Sequence, residues 1–219
     1  MESSILRARP KHFPANRRPV FYYITDRRSP GGNSLLRRIR KVIDLGVDFI
    51  QIREKDLSDR ELFALVSRVA DVARGTRSRV LVNGRADIAL AAGADGVHLP
   101  ASGLRISEIR SWTPKNFIVG ISVHTLSEIR VACECRVDYI LVGHVFPTDS
   151  KAGMGPDLGL DFLRQACALS TVPVLALGGI NTERIEPVLE TGADGIAGIS
   201  LFQNKEEFHR FRRFHKRKP

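Results

Sequence analysis

The chain has 219 residues, of which 43% are hydrophobic, and a formal net charge of +10. That length suits one barrel-sized domain and falls short of two ordinary domains with a linker. No apolar run reaches the roughly 18 residues of a membrane helix, and no apolar stretch follows the basic N-terminus as in a secretory signal.

Three cysteines (Cys133, Cys135, Cys167) lack metal-ligand spacing and read as buried, reduced thiols of a cytoplasmic protein. The excess charge sits at the ends: residues 1–19 carry +4, residues 205–219 carry +5, and the body between them +1. Residues 1–18 read as a flexible basic arm, and 19–219 as the folded domain. Phe208, Phe211 and Phe214 recur every third residue, as in a packed amphipathic helix with a basic end. That favours packing over nucleic-acid binding. Homo-oligomer formation is left open.

In chain order, an apolar run at 20–25 predicts a first strand, and Leu35–Leu45 a helix after the turn at Ser29-Pro30-Gly31-Gly32. A second strand follows at 49–53. Ser58 with Glu61 makes a capping box that opens a helix to about residue 74. Strands at 80–83 and Gly96–Leu99 flank a short helix from Ala86, and 106–111 reads as helical. Strand five spans 118–124, then a helix 127–133; strand six spans Tyr139–Gly143, then a long loop and a helix 160–168. Strand seven spans 172–177, Asn181 or Thr182 caps the next helix, and strand eight spans 195–199.

A short motif recurs before strands two, four, six and eight: Gly46-Val47-Asp48, Gly93-Ala94-Asp95, Arg136-Val137-Asp138 and Gly192-Ala193-Asp194. Its aspartates are spaced by 47, 43 and 56 residues. Each interval holds two βα units of at most about 30 residues each. Eight such units in a small chain predict a single closed (β/α)8 TIM barrel, whose chemistry gathers where strands end and βα loops begin.

Strand alternation sorts the side chains. Ile50 and Ile52, Val80 and Val82, and Val119, Ile121 and Val123 should face the surrounding helices. Gln51, Arg53 and Lys55, Leu81 and Asn83, and Gly120, Ser122 and His124 should point inward. Polar groups inside one end of a barrel mark a site.

Two constellations carry chemistry. Gly178-Gly179 after strand seven and Gly198-Ile199-Ser200 after strand eight sit where such barrels grip a phosphate, using backbone N–H groups and helix N-termini. The loop after strand six, from Val142 to Gly155, is longer than the usual 2–6 residues. It opens with His144 and carries Thr148 and Lys151. An imidazole with an ordinary pKa near 6.5 suits proton transfer, so His144 is the first candidate acid–base group and His124 the second; His98 ranks lower.

From Val20 to about Phe214 the chain resembles the thiamin phosphate synthase/TenI superfamily. The matching segments are Ile24-Thr25-Asp26, Gln51-Ile52-Arg53-Glu54-Lys55, Gly96-Val97-His98-Leu99, Ser122-Val123-His124, Pro147-Thr148 with Lys151, and Gly178-Gly179-Ile180. The synthase branch joins a pyrimidine pyrophosphate to a thiazole phosphate and uses magnesium. Its pattern has acids where this chain has Gly84 and Gly103.

The TenI-like thiazole tautomerase branch resembles this chain at Asn83-Gly84-Arg85, Leu99-Pro100 and Gly143-His144-Val145-Phe146. The resemblance thus implies a metal-independent tautomerase without cofactor, with His144 or His124 moving a proton on a carboxylated thiazole phosphate. Gly178, Gly179, Gly198, Ile199 and Ser200 would hold the phosphate, and Arg53, Lys55, Asn83, Thr148 and Lys151 the rest. The magnesium-dependent synthase is the alternative, with Arg53 and Lys55 on the pyrophosphate. A non-catalytic regulatory protein is the second alternative.

Overall fold

The strands expected from alternation do close on themselves. In a computed structural model, which describes residues 10, 11, 13, 18–28, 35–148 and 156–217, eight parallel strands pair in sequence order and β8 returns to β1. They are β1 (Val20–Ile24), β2 (Phe49–Ile52), β3 (Arg79–Asn83), β4 (Gly96–Leu99), β5 (Ile118–Val123), β6 (Tyr139–Gly143), β7 (Val174–Leu177) and β8 (Gly195–Gly198). Parallel neighbours can be joined only by crossovers. These are supplied by α1 (Leu35–Leu45), α2 (Asp59–Ala73), α3 (Ala86–Ala91), α4 (Ile106–Trp112), α5 (Leu126–Glu134), α6 (Gly159–Leu169) and α7 (Ile185–Glu190). The chain ends with α8 (Ser200–Gln203) and α9 (Lys205–Arg217). The fold is a (β/α)8 barrel.

Two apolar layers follow from the period of two. Ile50, Ile52, Val80, Val82, Val119 and Val123 pack outward under the helices. Tyr22, Phe49, Leu81, Ile118, Tyr139, Leu141 and Leu175 fill the barrel itself. Gly120 is small for a reason: a Cβ there would lie 2.0 Å from the Tyr139 ring. Phe13 of the N-terminal arm is buried against Phe49 and Tyr139, with ring centroids 5.2 and 6.0 Å away, at the end where strands begin. The arm is therefore anchored at that residue.

The recurring aspartates tie neighbouring strands together at this same end. The carboxylates of Asp48, Asp95, Asp138 and Asp194 accept from the backbone N–H of Phe21, Val80, Val119 and Val174 at 3.0, 2.7, 2.7 and 3.0 Å. Each aspartate's own N–H donates to the carbonyl of that same residue. Arg18, Arg79 and Arg110 pair with the first three carboxylates. Two residues before each aspartate the backbone turns left-handed, with φ of +81° at Gly46, +72° at Gly93, +58° at Arg136 and +88° at Gly192. Glycine suits that turn because it lacks the Cβ that clashes there.

The Ser58–Glu61 capping box opens α2 as expected, and Phe211 of α9 is fully buried with Phe208 and Phe214 packed beside it. All three cysteines are free thiols, but only Cys167 is buried; Cys133 and Cys135 are half-exposed. Among the described residues no helix is long and apolar enough to cross a membrane.

Candidate active site

Seven strands, together with the residue that follows β8, line a cavity of about 390 Å³ at the ends where the strands finish. From β1 and β2 come Ile24, Asp26, Gln51, Arg53 and Lys55; from β3 and β4, Asn83, His98 and the Pro100–Ser102 turn. β5 gives Ser122 and His124, β6 gives Leu141, Gly143, His144 and Thr148, and β7 and the residue after β8 give Leu177, Gly178 and Ile199. The structure thus brings together Arg53, Lys55, Asn83, His124, His144, Thr148, Gly178 and Ile199 of the expected site. Gly179, Gly198 and Ser200 do not line the cavity, and Lys151 lies outside the described residues.

The β2 segment shows how alternation builds the rim. Arg53 and Lys55 reach the cavity while Glu54 between them turns back toward β1. There it accepts from Thr25 Oγ1 at 2.6 Å and from the Arg27 N–H at 3.0 Å. Burial pushes the Glu54 carboxyl up, partly offset by those two bonds. Arg53 is half-buried; its backbone N–H donates to Thr25 Oγ1, and no ion pair of its guanidinium occurs among the described residues. Beneath it Gln51 donates to Asn83 Oδ1 at 3.1 Å, and its own Oε1 is buried with no partner. An unpaired buried acceptor costs about 1–3 kcal/mol.

Below the cavity lies a polar chain that sequence reasoning missed. Ser122 Oγ is 2.9 Å from His98 Nε2, His98 Nδ1 is 3.1 Å from the Tyr139 hydroxyl, and that hydroxyl is 2.9 Å from Tyr22's. Burial lowers the His98 pKa to about 3, with the Arg53 charge adding to it. Burial likewise raises both phenols well above their ordinary range. This polar chain is neutral, so the floor of the cavity offers oriented dipoles, while the charges stand at the rim on Arg53, Lys55 and Asp26.

The loop glycines also carry packing. A Cβ on Gly178 (φ +101°) would lie 2.4 Å from His144 Cβ, and one on Gly179 (φ +63°) would lie 2.5 Å from the Pro147 carbonyl. This glycine pair is required by close packing of the β6 loop, whatever else it binds. Arg184 locks the turn further: it donates to the Gly179 carbonyl and its guanidinium sits 4.5 Å over the Phe146 ring. The helix openings are also weak, since α8 has four residues and Asn181 starts a 3-10 turn (Thr182–Arg184). Their dipoles add little. Of the histidines, His124 donates its Nδ1 proton to the Gly143 carbonyl, and His144 lines the wall opposite β2.

Magnesium wants carboxylate oxygens. Among the described residues the cavity has one carboxylate, Asp26, and it already accepts from the Arg28 N–H at 3.0 Å. Gly84, the residue after β3, has no side chain, and no cluster of three or more His, Cys, Asp or Glu able to hold a metal occurs among the described residues. This donor set does not fit a bound divalent ion.

The profile of the family described as thiamine monophosphate synthase (TMP-TENI) matches residues 21–202. The chain belongs to that family. A thiamine-phosphate synthase of Syntrophomonas wolfei is 40% identical over 186 residues, covering 85% of this chain and 89% of the relative. One of Methanospirillum hungatei is 39% identical over 179 residues, covering 82% and 87%. The solved thiamine phosphate pyrophosphorylase from Pyrococcus furiosus superposes with a TM-score of 0.79 at 33% identity, covering 90% of this chain and 96% of the other.

These relatives overturn the tautomerase expectation: they are named as synthases, which are transferases and not isomerases. The physical reason for the error lies in Gly143-His144-Val145-Phe146. That segment is fixed by packing against Gly178 and Gly179, so its wording reports loop architecture as much as chemistry.

Proposed function

We propose that the chain is a transferase of the thiamine-phosphate synthase kind, joining a thiazole phosphate to a pyrimidine that carries a pyrophosphate. The observation that carries this reading is the half-buried Arg53 guanidinium at the cavity rim, with no ion pair among the described residues, in a chain about 40% identical to named synthases. Such a group calls for an anion. A pyrophosphate docked on Arg53 and Lys55 supplies it, by charge-assisted hydrogen bonds.

In the reaction, the thiazole nitrogen lone pair forms a bond to the pyrimidine's methylene carbon. The C–O bond to pyrophosphate breaks, and pyrophosphate leaves with that electron pair. No proton need change hands. The protein's task is to align two rings in one cavity and to stabilise negative charge as it grows on the leaving group. Arg53 performs the second, and the neutral floor of His98 and Ser122 leaves its charge unquenched. Gln51 Oε1 accepts an N–H from the pyrimidine's substituents, held by Asn83. Thr148, Gly178 and Ile199 hold the thiazole phosphate from the other side, with Lys151 and the Gly198–Ser200 turn near them in sequence. His124 and His144 serve as hydrogen-bonding walls. Free small substrates and free thiols are in keeping with a cytoplasmic location.

Incubating the purified protein with both substrates tests this, with inorganic pyrophosphate and the coupled product measured together. One pyrophosphate released per product formed is expected. Neither appearing, in chelator or in magnesium, overturns the reading.

A further inference from the structure

Resting on that reading, we infer that this chain binds its pyrophosphate-bearing substrate directly on protein cations, without a divalent ion. The charge balance of the cavity leads there. Arg53 and Lys55 face one carboxylate, Asp26, which is engaged by the Arg28 backbone. Among the described residues, four further acids near the rim are turned elsewhere. Glu54 holds Thr25 and Arg27, Asp56 pairs with Arg27 and Arg28, and Asp59 and Asp87 are both taken by Arg85.

A metal chelate of pyrophosphate would bring two further positive charges beside a guanidinium that has no ion-pair partner among the described residues. The bare polyanion brings the charge that guanidinium lacks. Gly84 sharpens the point. A Cβ there would meet only Pro100 Cδ, at 3.8 Å. The β3 end therefore has space for a carboxylate side chain and does not carry one. Its φ of +68° is one that aspartate adopts more readily than most residues.

Calorimetric titration of the full-length protein with inorganic pyrophosphate, in chelator and in millimolar magnesium, is the test. Binding should be tighter in chelator than in magnesium, which sequesters the free polyanion, and Arg53→Gln should weaken binding in chelator about tenfold or more. Gly84→Asp should make binding magnesium-dependent by about tenfold. If that variant fails to fold, the wild-type pair of titrations still decides. Magnesium tightening wild-type binding tenfold or more, with manganese immobilised by protein and pyrophosphate in the electron paramagnetic resonance spectrum, overturns the inference but leaves the transferase reading standing. Pyrophosphate failing to bind under either condition removes both.

Discussion

The two ends of this barrel use charge in opposite ways. Where strands begin, carboxylates are spent on the fold: Asp48, Asp95 and Asp138 each hold a neighbouring strand's N–H and an arginine. Where strands finish, among the described residues, the Arg53 guanidinium stands without a carboxylate and a buried amide oxygen on Gln51 stands without a donor. Satisfied groups stabilise; a buried unsatisfied one such as the Gln51 oxygen is held ready at a cost of about 1–3 kcal/mol. One end keeps the barrel closed, and the other gives it something to bind.

The floor between the two ends gives the largest expected effect. His98 has its folded-state pKa lowered from 6.5 to about 3 by burial, so the fold favours its neutral form. Its contribution to stability is therefore present above about pH 6.5 and lost as pH falls toward 3, over a range worth a few kcal/mol. Denaturant unfolding across that range should show the loss in wild type and a flatter profile in His98→Gln. Parallel profiles would mean that the imidazole is not dry in the fold.

Next in size is Asp138→Ala at the strand-start end. It strips the Val119 N–H of its side-chain acceptor and Arg110 of its carboxylate partner, and should cost about 2 kcal/mol of stability. The coupling rate per folded molecule should not change. A rate that falls with stability would show that the two ends are not independent.

Much of this division was legible in the sequence. Alternation in β2, β3 and β5 sent Gln51, Arg53, Asn83, Ser122 and His124 inward, and the cavity contains all five. The recurring motif gave the strand count. What it did not give was the aspartates' work, because their partners Phe21, Val80, Val119 and Val174 lie in strands 20 or so residues away whose register only closure sets.

The floor was hidden for a similar reason. Tyr22 sits in an apolar run and Tyr139 opens another, and each reads as core until His98 is seen 3.1 Å from Tyr139. The reaction was misread because one histidine was weighed as chemistry. The glycines that pack against it, and the identity to named synthases over 82–85% of the chain, carried the better information.

The smallest effect isolates one residue of the strand-start motif. Arg136 takes φ +58° where the other three copies have glycine, and a side chain in that region costs about 1–2 kcal/mol. Arg136→Gly removes the clash but gives the unfolded chain more freedom. A net gain of about 0.5–1 kcal/mol should remain. For a chain of this size that is a rise of about 1–4 °C in Tm. Its carbonyl bond from Arg110 is made by backbone and persists. The mirror variant is Gly93→Ala, whose added Cβ would meet nothing within 4 Å. With packing removed, the change there is backbone strain offset in part by the lower freedom of the unfolded chain, a net loss of about 0.5–1 kcal/mol. Opposite signs at the two positions would show that the left-handed turn, rather than local packing, selects glycine in this motif; equal signs would show that the four copies are not equivalent.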